Sequence, residues 1–64
     1  MNIPKSLHTV TAIVAVARYI NPTPAACECA QLARHAAVIL GHDPADDTYG
    51  LIGRAADTLK KGAA

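Results

Sequence analysis

The sequence predicts an all-α fold: a small bundle of three helices, in which a helical hairpin carries a third helix packed across it and self-association completes the core. Three observations lead there. Two proline-containing breaks, Asn21-Pro22-Thr23-Pro24 and His42-Asp43-Pro44, divide the 64 residues into three segments of helical length. Alanine, the best helix former, is the commonest residue, and Leu, Arg, Gln and Glu add to the same tendency. Finally, hydrophobic residues make up 52% of the chain although Phe and Trp are missing, so the apolar surface is carried by small and aliphatic groups. Such surfaces suit helices that approach closely.

A chain of this length forms one domain at most. It buries only about 60% of the surface its unfolded form exposes, which makes its stability marginal. Aromatic rings usually contribute about 150–250 Å² of burial each, and Tyr19 and Tyr49 are the only large ones here. A second copy or a larger partner is therefore expected to complete the core. The expected helices cover about residues 5–20, 24–40 and 44–61 of a single domain, 1–64.

The first segment follows a short polar lead with Pro4. Leu7, Val10, Ile13, Val14, Val16, Ala17 and Ile20 fill about half of a helical wheel, and His8, Thr11, Arg18 and Tyr19 fill the other half. The β-branched run would also suit a strand, but fourteen residues exceed a usual strand length of about 3–10. The same segment carries the outline of a secretory signal: Lys5, then Leu7 to Val16, then Ala15-Val16-Ala17. His8, Thr9 and Thr11 interrupt its apolar run, and Arg18 follows the small-residue site directly. The run is too short and too polar to cross a membrane. Pro22 disfavours the helical region for Asn21 and ends the helix there. The short link that follows favours a hairpin.

The second segment, Thr23 to Gly41, is the one the rest must pack around. Thr23 is expected to cap it, Pro24 to occupy its first position and Gly41 to close it in the left-handed conformation. Cys29, Leu32, Ile39 and Leu40 share one face, and beside them runs an alanine seam of Ala26, Ala30, Ala33 and Ala37. Glu28, Gln31, Arg34 and His35 take the remaining surface.

For the third segment Asp43 is the expected cap and Pro44 the first residue. Asp46 and Asp47 put negative charge at the positive end of the dipole, and Lys60 and Lys61 put positive charge at the negative end before Gly62. Its inward stripe is Tyr49, Ile52, Ala55, Ala56 and Leu59, with Asp57 and Lys61 as an i,i+4 pair. Gly50 and Gly53, three apart, mark either a close backbone contact or a kinked first turn.

Several chemistries were weighed against plainer explanations. Cys27 and Cys29 lie about 200° apart on a helix, so they cannot bridge one another, and they read as reduced thiols of a cytoplasmic protein. Cys27 and His35 stand about 12 Å apart along the axis, too far to share a metal. His42, Asp43, Asp46 and Asp47 lack the spaced ligands of a calcium loop, and capping explains the acids. No metal, cofactor or catalytic residue is expected, since neither a phosphate loop nor a nucleophile–base pairing is present. A net charge of +1 argues against nucleic acid as a ligand. A helix-turn-helix would need more basic and amide side chains than Gln31, Arg34, His35 and Arg54 provide.

What remains is a small helical interaction module, partnered by itself and by a larger protein that it inhibits or adapts. It is similar only in broad type to short accessory helical proteins, many encoded by phages and mobile elements. Val10, Val14, Ala30, Ala33, Ala37 and Ile52 are the expected interface residues. His8, Arg18, Tyr19, Arg34 and Tyr49 are the expected recognition residues. The alternative is an oligomer that binds a small anion or nucleotide between subunits through Arg18, Arg34 or Arg54 with a stacking tyrosine.

Overall fold

A computed structural model describes residues 9–45, 47 and 50–62. Three α-helices account for most of them: α1 (Val10–Ile20), α2 (Cys29–Ile39) and α3 (Leu51–Gly62), with no strand among the described residues. A short 3₁₀ turn, Ala26–Glu28, leads into α2. Each helix packs against the other two. The radius of gyration, 10.7 Å, agrees with the value of about 11 Å for a compact chain of this length. The expected all-α bundle is therefore the fold.

The helix starts differ from those expected, and each difference has a local cause. Thr9 is extended, with φ −127° and ψ 163°, and its Oγ1 accepts a hydrogen bond from the Ala12 amide at 3.1 Å. That bond satisfies one of the free donors of the first turn and starts α1 at Val10 rather than at residue 5. Leu7 and the rest of the expected first turn lie outside the described residues. The other end behaves as expected. Asn21 leaves the helical region before Pro22, and its amide still donates to the Ala17 carbonyl at 2.9 Å.

Thr23 does not cap α2. Its amide donates to Asn21 Oδ1 at 3.2 Å, which makes an Asx turn of the link. Ala25 is extended instead, and Glu28 Oε1 accepts from its amide at 3.3 Å while the Glu28 amide donates to its carbonyl at 2.9 Å. A glutamate three residues past the boundary thus sets the start, as in the reciprocal half of a capping box. Pro24 stays outside the helix, so the expected span 24–40 shortens at its beginning.

The far end of α2 matches the expectation in detail. Gly41 has φ +83°, its amide donates to the Val38 carbonyl at 3.0 Å, and the His42 amide donates to the Ala37 carbonyl at 2.9 Å. These two bonds are the Schellman closure that glycine allows.

Nor does α3 begin at Pro44. Asp43 Oδ1 accepts from the Ala45 amide at 2.9 Å, so Asp43 and Pro44 form a turn. The helix begins at Leu51, after Gly50 at φ +65°. Gly53 meets nothing within 4 Å of a notional Cβ, so this glycine pair marks a helix entry and not a close backbone contact within the chain. The expected pair Asp57–Lys61 forms no recorded ion pair.

The core gathers Ile13, Val14 and Ala17 from α1. It takes Cys29, Leu32, Ala33, Ala36, Ala37 and Leu40 from α2 and its cap, and Ala55, Ala56 and Leu59 from α3. Val10, Ala12, Val16, Leu51 and Ile52 pack around it. On α2 the buried arc is centred between Cys29 and Leu40, and it includes Ala36, a residue left out of the expected seam. At about 100° per residue the arc spans about 140°, from Leu32 to Ala37. Ala30 and Ile39 each fall about 20° beyond its edges, which is why both are exposed. Ala26 is exposed because it precedes the helix. On α3 the stripe Ile52, Ala55, Ala56 and Leu59 faces inward as expected, and Tyr49 lies outside the described residues. Ile20, expected on the inner face of α1, is 40% exposed at the helix end.

Five of the buried alanines, at positions 17, 33, 36, 37 and 55, are wholly inaccessible. Enlarging one of them should cost more than trimming an exposed aliphatic. Ala36→Leu is expected to destabilise the fold by about 1–3 kcal/mol through overpacking. The melting temperature should fall by about 4–8 °C per kcal/mol, as read by circular dichroism.

Candidate interaction surface

The expected interface residues do not fall on one outer surface. Val14, Ala33 and Ala37 are buried within the chain's own core, so they join its helices and are not available to another molecule. The reason is the register of the stripes: each lies within the arc that its helix turns toward the other two. Val10 and Ile52 are half-buried at the margin, and Ala30 is exposed. Of the recognition residues, Arg18, Tyr19 and Arg34 are exposed, whereas His8 and Tyr49 lie outside the described residues.

Open grooves mark the described surface. One, of about 480 Å³, runs between α2, the α2–α3 connection and α3, lined by Ala30, Gln31, Arg34, Pro44, Asp47 and Ile52. A second lies between α1 and α3 and includes Val10, Val14, Ala15, Arg18 and Thr58. A third lies where the α1–α2 link meets α2, with Asn21, Glu28, Gln31, Leu32 and His35. Small-molecule sites usually enclose most of their ligand, and these grooves are shallow. Ala30, Ile52 and Arg34 do meet in the first groove, but Arg34 faces a wall that also carries Asp47.

Asp47 is the residue that organises this groove. Its Oδ1 accepts from the Ile52 amide at 3.3 Å, and its own carbonyl accepts from the Gly50 amide at 3.1 Å. His42 Nε2 stands 3.7 Å from the same Oδ1. One carboxylate thus caps α3 from a distance, the role expected of Asp43, and ties the connection to the end of α2. Five residues separate Asp47 from Ile52, so no i,i+3 capping pattern advertises the contact.

The large apolar residues that stand exposed among the described residues are Tyr19, 91% exposed; Ile20; Val38, 51% exposed; and Ile39, 50% exposed. Val38 and Ile39 occupy the last turn of α2, and Tyr19 and Ile20 the last turn of α1. Val38 was not among the expected contact residues, although its place opposite Cys29 and Leu40 on a helical wheel accounts for its exposure. Both cysteines are free thiols. Cys27 is exposed, and Cys29 is buried with its Sγ 3.4 Å from the Ala25 carbonyl oxygen. Among the described residues, no helix is long and apolar enough to cross a membrane.

Charged side chains divide into two groups. Glu28, Asp43 and Asp47 each accept a hydrogen bond from a backbone amide. Asp57, Arg18, Arg34, Arg54, Lys60 and Lys61 make no side-chain hydrogen bond or ion pair. No known protein family, curated protein or solved structure matches this chain.

Removing the Asp47 carboxylate should loosen the α2–α3 connection. Asp47→Ala is expected to lower stability by about 0.5–2 kcal/mol, the usual cost of losing a helix-capping side chain. Asp47→Asn, which keeps an acceptor oxygen, should recover most of that loss in the same thermal melt.

Proposed function

We propose that the chain is a small protein–protein interaction module. It associates with itself and inhibits or adapts a larger protein, as accessory proteins of phages and mobile elements do. The observation that carries this reading is the pair Val38 and Ile39, half-exposed on the last turn of α2 while the core beneath them is already closed. Exposed aliphatics at that position add little to the stability of the single chain. Burying them against another protein would return roughly 25 cal/mol per Å² of apolar area. Shallow, open grooves suit an extended protein contact better than a small ligand. The proposal assigns no catalytic residue, cofactor or nucleic acid, and it places the module in the cytoplasm on the strength of its free thiols.

Light scattering over a range of concentrations tests it. The wild-type chain should have the mass of two or more copies at high concentration. Val38→Gln combined with Ile39→Gln should return it to a single copy with little change in melting temperature. A chain that stays monomeric throughout, and that retains no protein when immobilised and exposed to a host extract, would overturn the proposal.

A second reading has one observation in its favour. Arg34 and Gln31 share a groove wall with no side-chain partner for the guanidinium, which suits a small anion or nucleotide held between subunits. Asp47 on the opposite wall disfavours it. Millimolar nucleotides and inorganic anions should raise the melting temperature by mass action if this reading holds, and no rise is expected.

A further inference from the structure

We infer that two copies of the chain pair through the side of the α1–α2 hairpin that faces away from α3, making a shared four-helix core with both α3 helices outside it. This rests on the interaction-module reading and names the face through which the copies meet.

The registers of the helices define that side. Ala15 and Arg18 of α1 share a groove with Thr58 of α3, and Ala30 and Arg34 of α2 share one with Ile52 of α3. These residues mark the flank of each hairpin helix that adjoins α3. At about 100° per residue, Ala12, Val16 and Ile20 lie about 120–160° round α1 from Arg18, and Leu32, His35 and Ile39 lie about 140–180° round α2 from Ala30. Asn21, just past α1, lines a groove with Glu28, Leu32 and His35 at the start of α2, so the two helices run antiparallel. Both sets of residues therefore turn to one side of the hairpin, opposite α3.

That side is apolar and almost without charge. Ala12 and Val16 are half-buried, Ile20 is 40% exposed and Ile39 is 50% exposed. Among the described residues it holds no lysine or arginine. Its one carboxylate, Glu28, stands at the edge with an oxygen already on the Ala25 amide. The rest of the surface differs. Arg18 lies between α1 and α3, Arg34 and Asp47 lie between α2 and α3, and Arg54, Asp57, Lys60 and Lys61 are exposed on α3.

The absence of charge points to a second copy. A two-fold contact lays a surface on itself and brings its own charges together. Only the hairpin side avoids that cost. An apolar strip along two antiparallel helices is covered by another such pair, as in a four-helix bundle. Ala12 lets the helices approach, and Val16, Ile20 and Ile39 fill the space between them. The face is continuous with the last turn of α2, where Val38 stands at its rim. His35 and Gln31 supply the polar groups of the α2 half.

The test mixes isotope-labelled and unlabelled whole chains and records nuclear Overhauser contacts between copies. Contacts are expected among the methyl groups of Val16, Ile20 and Ile39. Ile20→Gln should raise the dissociation constant of the dimer about tenfold or more, since each dimer loses two isoleucines from its interface. The melting temperature of the dilute, single-copy chain should stay close to wild type. Arg54→Gln, on α3, should leave association unchanged. The inference falls if the contacts between copies come from α3, if Ile20→Gln associates like the wild type, or if Arg54→Gln weakens association as much. A chain that self-associates yet gives any of these results sinks this inference alone and leaves the interaction-module reading standing. A chain with one copy at every concentration sinks this inference together with the self-association in that reading.

Discussion

Close approach of backbones at alanine positions is the constraint on which this fold depends. The chain has no Phe or Trp, and its core includes only five large aliphatic side chains: Ile13, Val14, Leu32, Leu40 and Leu59. Spread over widely spaced helices, five such groups would leave voids, and voids forfeit dispersion contacts. Ala17, Ala33, Ala36, Ala37 and Ala55, all wholly inaccessible, let the helices come close enough for those five to interdigitate. Helix α2 supplies the largest share, which is why the other two assemble on it.

Short helices need help at their ends, because each end leaves backbone donors or acceptors without a partner. Here the help is local and comes mostly from acids and one threonine. Thr9 and Glu28 serve the starts of α1 and of the turn before α2, and Asp47 serves α3 from across a loop. Among the described residues Glu28, Asp43 and Asp47 are consequently held against the backbone, while Asp57, the three arginines, Lys60 and Lys61 make no side-chain bond. The distribution of unpaired charge on the surface follows from how the helices are capped, even though the chain as a whole is close to neutral.

That division also separates two regions of the surface. The last turn of α2 presents aliphatic side chains, Val38 and Ile39, next to the glycine closure at Gly41. The last turn of α1 carries the exposed Tyr19 and Ile20, and that of α3 carries Lys60 and Lys61. An aliphatic surface is indifferent to the charge of what it meets, whereas a cationic one selects by sign.

Much of this was legible in the residues alone. Three helices, the end of α1 at Asn21, the Schellman closure at Gly41 and the inward stripe Ile52, Ala55, Ala56 and Leu59 follow from periodicity and from the φ preferences of proline and glycine. These are local rules, acting within a turn or two of chain. The start of α3, the centring of the buried arc of α2 between Cys29 and Leu40, and the loss of Val14, Ala33 and Ala37 to the chain's own core were decided by tertiary structure. A wheel shows which residues share a face, but only the position of the neighbouring helices fixes where the buried arc begins and ends. A capping side chain five residues upstream is chosen by how the loop folds back, and the meeting of Arg18 with Gly62 depends on a helix crossing that no local pattern encodes.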